Sequence, residues 1–128
     1  MSYYYARIID ADMATVDERV RSALKEQGFG VLTEIDVTGT LKKKLDVDFR
    51  PYRILGACNP HFAHKALQAE DKIGTMLPCN VILQETADGH TEVAAVDPIA
   101  SMQAGGNEAL GAIASEVQKS LRRVVESL

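Results

Sequence analysis

The pair Asp88-Gly89 constrains the fold of this chain most strongly, because it separates two short segments that favour β-strands. Residues 80–86 before it and residues 91–97 after it are rich in valine and other apolar residues. An Asp-Gly pair favours the tight turn of a β-hairpin, in which glycine takes the positive φ angle that the turn requires. The sequence therefore predicts that these two segments pair as antiparallel strands.

Two long amphipathic helices are predicted, one near each end of the chain. The first begins near Thr15, because Thr15 and Glu18 have the spacing of a capping box, and it ends at Gly28. The second follows a connection through Gly105-Gly106, begins after an Asn107 cap, and carries apolar residues at intervals of three and four. Each apolar stripe needs another apolar surface to cover it.

Three more strands and one short helix are predicted between and before these elements. Residues 3–10, 31–37 and 52–57 have the pattern of strands, and a short helix follows Pro60, with Asn59 as its N-cap. One sheet with both long helices on one face is the simplest way to bury both stripes. The sequence therefore predicts an α+β fold, a two-layer sandwich with a mostly antiparallel sheet of about five strands.

In the predicted strand over residues 31–37, β-branched residues occupy every second position, and Leu32, Glu34 and Asp36 lie between them. Val31, Thr33 and Ile35 therefore share one predicted face. Arg53 of the next strand is expected to pair with an acidic residue of this strand across the sheet, or to bind an anion. The connection between the two strands is predicted to contain at most one helical turn.

Length and charge exclude several classes of protein. With 128 residues, the chain is predicted to be a single domain, residues 1–128. The net charge of −4 argues against the basic face of a nucleic-acid binder, and no apolar run reaches membrane-spanning length. The N-terminus lacks the pattern of a signal peptide, so we expect a cytoplasmic location without nucleic-acid or membrane partners. Cysteines in that compartment are expected to be reduced.

The candidate site lies where the strand over residues 52–57 passes into the short helix. Cys58 stands just before that helix, whose free backbone N–H groups and positive dipole end favour a thiolate. Two histidines three residues apart share one face of the helix, and the second cysteine of the chain begins the next strand. The candidate ligand-binding residues are Cys58, Asn59, His61, His64 and Cys79.

Several interpretations of these residues stay open. Cys58 could serve as a small packing residue, bind a small anionic or thiol-reactive ligand, or join His61, His64 and Cys79 in binding zinc or copper. The Cys-x-x-His-x-x-His spacing matches no standard zinc module, so no metal ligand is assigned. The sequence leaves the cofactor unknown. If the strand that begins near Cys79 lies beside residues 52–57, the two sulfurs could also form a reversible disulfide.

The runs Tyr-Arg-Ile-Leu-Gly-Ala-Cys-Asn-Pro at residues 52–60 and Leu-Pro-Cys-Asn-Val at residues 77–81 resemble the family called domain of unknown function 302. Lys44 and Asp97-Pro98 also match, and the resemblance covers residues 5–125. It implies a small α+β domain that forms a homodimer, and it assigns no activity and no catalytic residue. Many members carry Gly-Asn-Pro without the cysteine, so the thiol is not implied to be essential to the fold.

Three hypotheses for function follow. The first is a cytoplasmic, homodimeric domain that binds a small anionic or thiol-reactive ligand near Cys58. The second is a thiol-dependent redox or transfer enzyme with Cys58 as nucleophile, His61 as its charge partner and Cys79 as the resolving thiol. The third is a structural module whose homodimer is itself the function, which a tight interface without a useful pocket would favour.

Overall fold

The computed structural model describes residues 2–102 and 107–128. The five described strands are β1 Tyr4–Ile9, β2 Gly30–Asp36, β3 Tyr52–Cys58, β4 Cys79–Glu85 and β5 Thr91–Val96. The α-helices are α1 Met13–Glu26, α2 Val37–Leu45, α3 Pro60–Ala69, α4 Pro98–Met102 and α5 Glu108–Glu126, and a 3-10 helix covers Asp71–Met76. The predicted connection through Gly105-Gly106 lies outside the described residues.

The strands form one sheet in the order β1-β5-β4-β3-β2, and every neighbouring pair is antiparallel. The predicted hairpin joins β4 to β5, and Gly89 in its turn has a φ of +83°. A side chain at that position would be strained, which explains the glycine. The predicted α+β fold with a five-stranded antiparallel sheet is confirmed.

Two long helices cover one face of this sheet, as predicted. The apolar stripes of α1 and α5 pack with the inward-facing side chains of the central strands in one core. Its fully buried members include Val16, Val20, Leu24, Leu55, Val81, Leu83, Val93, Val124 and Val125. The interior positions alternate along β4 and β5, so every second residue of these strands belongs to this core.

Helices α1 and α2 differ from the predictions, the first in where it begins and the second in its length. Helix α1 begins at Met13, and Asp12 replaces Thr15 as its N-cap, because the Asp12 carboxylate accepts a hydrogen bond from the Thr15 backbone N–H at 2.8 Å. That hydrogen bond also lowers the pKa of Asp12. Helix α2 runs for nine residues where at most one turn was predicted, and Asp36 caps it by accepting from the Gly39 backbone N–H.

Strand β2 contains a β-bulge between Val31 and Thr33. Val31 is in register with Ala57 and packs on the core, whereas Thr33 is in register with Gly56 and lies on the opposite face. The prediction that Val31 shares a face with Thr33 is therefore wrong, because the extra residue of a bulge reverses the alternation.

The face of the sheet that points away from the core is left open by the described helices, and we call it the outer face. It remains apolar in spite of its exposure: the exposed fraction is 48% for Tyr4, 56% for Ile8 and 48% for Ile35. The register places the following residues on this face: Tyr4, Ala6, Ile8, Thr33, Ile35, Tyr52, Ile54, Gly56, Asn80, Ile82, Gln84, Glu92, Ala94 and Val96.

Residues 37–51 connect β2 to β3 and stand apart from the core, and we call this segment the arm. None of the side chains of α2 is buried, and the exposed fractions of Leu45 and Val47 are 66% and 44%. Thr38 fastens the arm to β3, because its hydroxyl donates to the Arg50 carbonyl and accepts from the Tyr52 backbone N–H, each at 2.8 Å.

Candidate functional site

Asn59 caps α3, as predicted, and it also connects this helix to the end of α1. Its side-chain oxygen accepts hydrogen bonds from the backbone N–H groups of His61 at 3.1 Å and Phe62 at 3.4 Å. Its side-chain amide donates to the carbonyl of Gln27 at 3.5 Å. Pro60 occupies the first helical position, where a missing N–H has no cost. The Asn59 side chain is therefore hydrogen-bonded both to the first turn of α3 and to the residue that follows α1.

The backbone N–H groups that were expected to face Cys58 already have acceptors. Those of His61 and Phe62 donate to the Asn59 side chain, and that of Ala63 donates to the Asn59 carbonyl at 2.9 Å. These hydrogen bonds satisfy the first turn of α3 within the protein. The helix start therefore presents no ready cradle of free N–H groups for an anion.

The two cysteines, both free thiols, line one crevice between the sheet, α3 and α5. Cys58 is half-buried, and Cys79 is only 7% exposed. The other walls are almost entirely apolar and are formed by Phe29, Ala57, Asn59, Phe62, Ala63, Ala66, Leu77, Pro78, Met102, Ile113 and Val117. The crevice encloses about 20 Å³, which is room for roughly one water molecule.

The two thiols differ in their electrostatic environments. Burial is the main cause that raises the pKa of the Cys79 thiol to about 11, and the negative charge of a Cys58 thiolate is the second. Cys79 therefore stays protonated at neutral pH, since the charged form would lose its solvation. Cys58 is the sulfur that reagents in solution can reach, and the influence of its charge on Cys79 is consistent with two sulfurs that lie close together.

The two histidines lie outside the crevice. His61 and His64 are exposed on α3, whereas Phe62, Ala63 and Ala66 of the same helix line the crevice. Among residues 2–102 and 107–128, no three His, Cys, Asp or Glu side chains are grouped so that they could hold a metal ion. The structure thus brings Cys58, Asn59 and Cys79 together and leaves both imidazoles apart, and a ligand-binding role for the five predicted residues stays a prediction.

Gly56 and Pro78 explain part of the two sequence runs that surround the cysteines. A Cβ atom at Gly56 would lie 2.2 Å from the Thr33 hydroxyl oxygen and 2.7 Å from Cγ of Pro78. Only glycine allows these two side chains to approach so closely. The Leu77–Pro78 peptide bond is cis. The Gly-Ala-Cys-Asn-Pro run therefore combines a close-packed glycine with a helix cap.

The family model for the domain of unknown function DUF302 matches residues 5–128. The chain belongs to the DUF302 family. A crystal structure of an uncharacterized conserved DUF302 protein from Bacillus stearothermophilus shares 30% sequence identity with it, covers 98% of each chain and gives a TM-score of 0.91. No curated protein matches the chain. The family predicted from the two cysteine-containing runs is thus confirmed.

Away from the crevice, toward the other end of β3, this DUF302 domain carries a network of four charged side chains that joins α1, β2 and β3. Asp17 accepts from Arg21 at 2.6 Å and from Arg53 at 2.7 Å, and Glu34 lies within 3.1 Å of both arginines. Burial raises the pKa of Asp17, but the two arginines outweigh this effect and hold the pKa below its usual value. The predicted pairing of Arg53 across the sheet is confirmed for Glu34, and Asp17 was not anticipated.

The sequence did not predict a broad hollow on the outer face. It encloses about 420 Å³ and is lined by Tyr3, Tyr4, Tyr52, Asn80, Ile82, Gln84, Glu92, Ala94, Ala95 and Val96. Gln84 donates to Glu92 and accepts from Arg50, each at 2.8 Å, so the end of the arm contacts this face. A usable signal was the apolar run at residues 81–83 in β4, because three consecutive apolar residues of a strand place apolar side chains on both faces of the sheet.

The described helices of this DUF302 domain include none that is both long and apolar enough to span a membrane.

Proposed function

We propose that this DUF302 chain is a homodimeric interaction domain in which a second copy of the chain covers the outer face. The observation that supports this function is the exposure of apolar side chains on the outer face, with Tyr4, Ile8 and Ile35 about half exposed. Monomeric soluble proteins rarely leave a contiguous apolar patch of more than a few hundred Å² exposed. The free face of an antiparallel sheet usually carries polar side chains, so the exposed apolar residues of the outer face support a partner that covers it.

The size of the outer face suits a partner of this kind. Five strands about 4.8 Å apart, each about 20 Å long, present a nearly flat area of roughly 500 Å². A stable interface buries about 800 Å² on each partner. The arm borders the face, because Arg50 bonds to Gln84 and stacks on Phe49 with 4.4 Å between the guanidinium carbon and the ring centre. The exposed apolar side chains of the arm, including Leu45 and Val47, extend the area toward that size.

The distribution of charge favours a copy of the same chain over an unrelated partner. The arm contains four basic and two acidic residues and carries a charge of +2, so the rest of a chain with a net charge of −4 carries −6. The outer face itself holds one acidic residue, Glu92, which is connected to Arg50 through Gln84. Two such faces can therefore meet without strong repulsion, while each basic arm meets the acidic body of its partner.

Sedimentation equilibrium of the full chain tests this proposal. We expect a mass of twice 13.9 kDa for the unaltered protein and the mass of one chain for Ile82→Lys, because a lysine in the centre of the interface would bury an unpaired charge. Leu67→Lys on α3 is the matched control, since Leu67 is 44% exposed and lies away from the outer face. A monomeric unaltered protein, or an Ile82→Lys variant that still dimerises, would contradict the proposal.

A second candidate function is the binding of a small thiol-reactive ligand at Cys58, and it is supported by the half-buried position of this thiol in the crevice. The apolar walls and the occupied N–H groups favour an uncharged ligand over an anionic one. Both candidate functions suit the cytoplasm, where free cysteines stay reduced. Neither involves a nucleic acid or a membrane.

The charge preference of Cys58 can be measured with a matched pair of reagents. The folded protein and the unfolded chain are each treated with iodoacetamide, which is neutral, and with iodoacetate, which is anionic. We expect folding to shift the ratio of alkylation rates at Cys58 toward iodoacetamide, and Cys58→Ala to remove the fast reaction. A shift toward iodoacetate would indicate an anionic ligand instead, and complete protection of Cys58 would exclude this candidate.

A further inference from the structure

The sheet register places the two cysteines at neighbouring positions on paired strands. Ala57 of β3 is opposite Cys79 of β4, and Cys58 is the next residue along β3. Standard strand spacing puts the Cα atoms of such neighbours about 5.5 to 6.5 Å apart. Disulfides join residues whose Cα atoms are about 4.4 to 6.8 Å apart. The backbone of the folded chain therefore already meets the distance requirement for a bridge between Cys58 and Cys79.

Both side chains also reach the same space. Adjacent residues of a regular strand point to opposite faces, but β3 ends at Cys58 and the chain turns directly into α3. Both cysteines line one crevice, with Cys58 half-buried and Cys79 buried, and the charge of Cys58 acts on the Cys79 thiol. This difference in access gives the two thiols different roles, because a reagent in solution meets Cys58 first.

We propose that Cys58 and Cys79 exchange two electrons with small disulfide molecules and form a reversible intramolecular disulfide, with Cys58 as the attacking thiol and Cys79 as the resolving thiol. In the first step the Cys58 thiolate attacks the small disulfide, which releases one thiolate and leaves a mixed disulfide on Cys58. In the second step Cys79 loses its proton to solvent and attacks the Cys58 sulfur, which expels the second small thiolate. The two cysteines are oxidised, and the small disulfide is reduced to two thiols.

The burial of Cys79 predicts that the second step is the slow one. The pKa of Cys79 is raised to about 11 by burial and by the charge on Cys58, and the mixed disulfide removes only the second of these causes. The fraction of Cys79 present as thiolate therefore increases about tenfold per pH unit below that pKa. We expect the mixed disulfide to accumulate near pH 7 and its conversion to accelerate about tenfold per pH unit toward pH 9.

Intact mass spectrometry of the full chain after addition of oxidised glutathione tests the exchange. The unaltered protein should pass through one glutathione adduct and end with the loss of two hydrogen atoms. Cys79→Ala should stop at the adduct, and Cys58→Ala should stay unmodified, because its remaining thiol is buried. Urea unfolding of each variant, compared with the unaltered protein, separates a change in chemistry from a loss of fold.

Three results would overturn the proposal: a glutathione adduct on the unaltered protein that never resolves, a Cys58→Ala variant that reacts as fast as the unaltered protein, or a disulfide that links two chains on a non-reducing gel. The exchange requires neither the outer-face dimer nor a bound ligand. The Ile82→Lys variant should therefore oxidise at the unaltered rate, so that a failure of the dimer proposal and a failure of the exchange give different results.

Discussion

Both faces of the sheet carry apolar side chains, and the two faces differ in what covers them. On the inner face, Leu83 and Val93 are completely buried by α1 and α5. On the outer face their strand neighbours Ile82 and Ala94 are only partly buried, and Ile35 at the edge is 48% exposed. An apolar residue in a strand therefore indicates that its face will be covered, but it does not indicate whether the same chain covers it.

The largest expected effect separates Leu83 from its neighbour Ile82. Leu83→Ala should lower the free energy of unfolding by about 2 to 5 kcal/mol at every protein concentration, because it leaves a cavity in the core. Ile82→Ala should cost less than about 1 kcal/mol in dilute protein, and its cost should grow with concentration if the outer face binds a second copy. Urea denaturation at two protein concentrations measures both. If both variants lost the same free energy of unfolding at both concentrations, Ile82 would be as buried within one chain as Leu83, and the outer face would bind no second copy.

A smaller effect is expected at Gly56, where Pro78 of the same chain packs against the outer face. Gly56→Ala should lower the free energy of unfolding by about 1 to 3 kcal/mol, because the new methyl group would meet Thr33 and Pro78 at less than 3 Å. Gly30→Ala is the matched control, since nothing lies within 4 Å of the added atom. Thermal unfolding of the two variants tests this contrast, and a Gly56→Ala protein as stable as Gly30→Ala would show that the close contact relaxes freely.

The smallest effect concerns two carboxylates, Asp17 of α1 on the core side of the sheet and Glu92 on the outer face. Asp17→Asn should cost about 1 to 2 kcal/mol near pH 7, because it removes the charged hydrogen-bond acceptor of Arg21 and Arg53. Glu92→Gln on the outer face should cost about 0.5 kcal/mol or less. Folding lowers the pKa of Asp17, so its stabilising effect is present above the ordinary carboxyl pKa of about 3.9 and is lost as the pH falls through the lower pKa of the folded state.

Urea unfolding at a series of pH values from neutral to acidic checks this dependence. The difference between the unaltered protein and Asp17→Asn should begin to shrink below about pH 4, where the carboxyl group of the unfolded chain takes up a proton. It should disappear as the pH falls through the lower pKa of the folded state, where the carboxyl group of the folded protein becomes neutral as well. A difference that stays constant down to the acid limit of the folded state would mean that the loss comes from packing and not from charge.

Local signals predicted most of the fold. The Asp88-Gly89 turn, the apolar stripe of α5 and the Asn59 cap each depend on residues close together in the sequence, and all three are present. The bulge at Val31 was not predictable, because it depends on how β2 pairs with β3. Helix α2 was not predicted either. None of its side chains is buried, and its sequence lacks the apolar stripe of a helix that packs on a core.

The candidate site was predictable only in part. The position of Cys58 before a helix follows from its neighbours in sequence, but its closeness to Cys79 depends on β3 and β4 being adjacent. The exposure of the histidines follows from the rotation of α3, which turns Phe62 and Ala66 toward the core. An apolar pair four residues apart was a readable signal for that rotation.

The hydrogen bonds of Asn59 to two helices limit which amino acids can replace it. Asparagine and aspartate serve about equally well at the start of a helix, since either supplies the accepting oxygen. An aspartate, however, would have no amide hydrogen for the Gln27 carbonyl and would set a negative charge against that oxygen. The carboxamide therefore joins the end of one helix to the beginning of another, and its nitrogen gives asparagine an advantage over aspartate at this position.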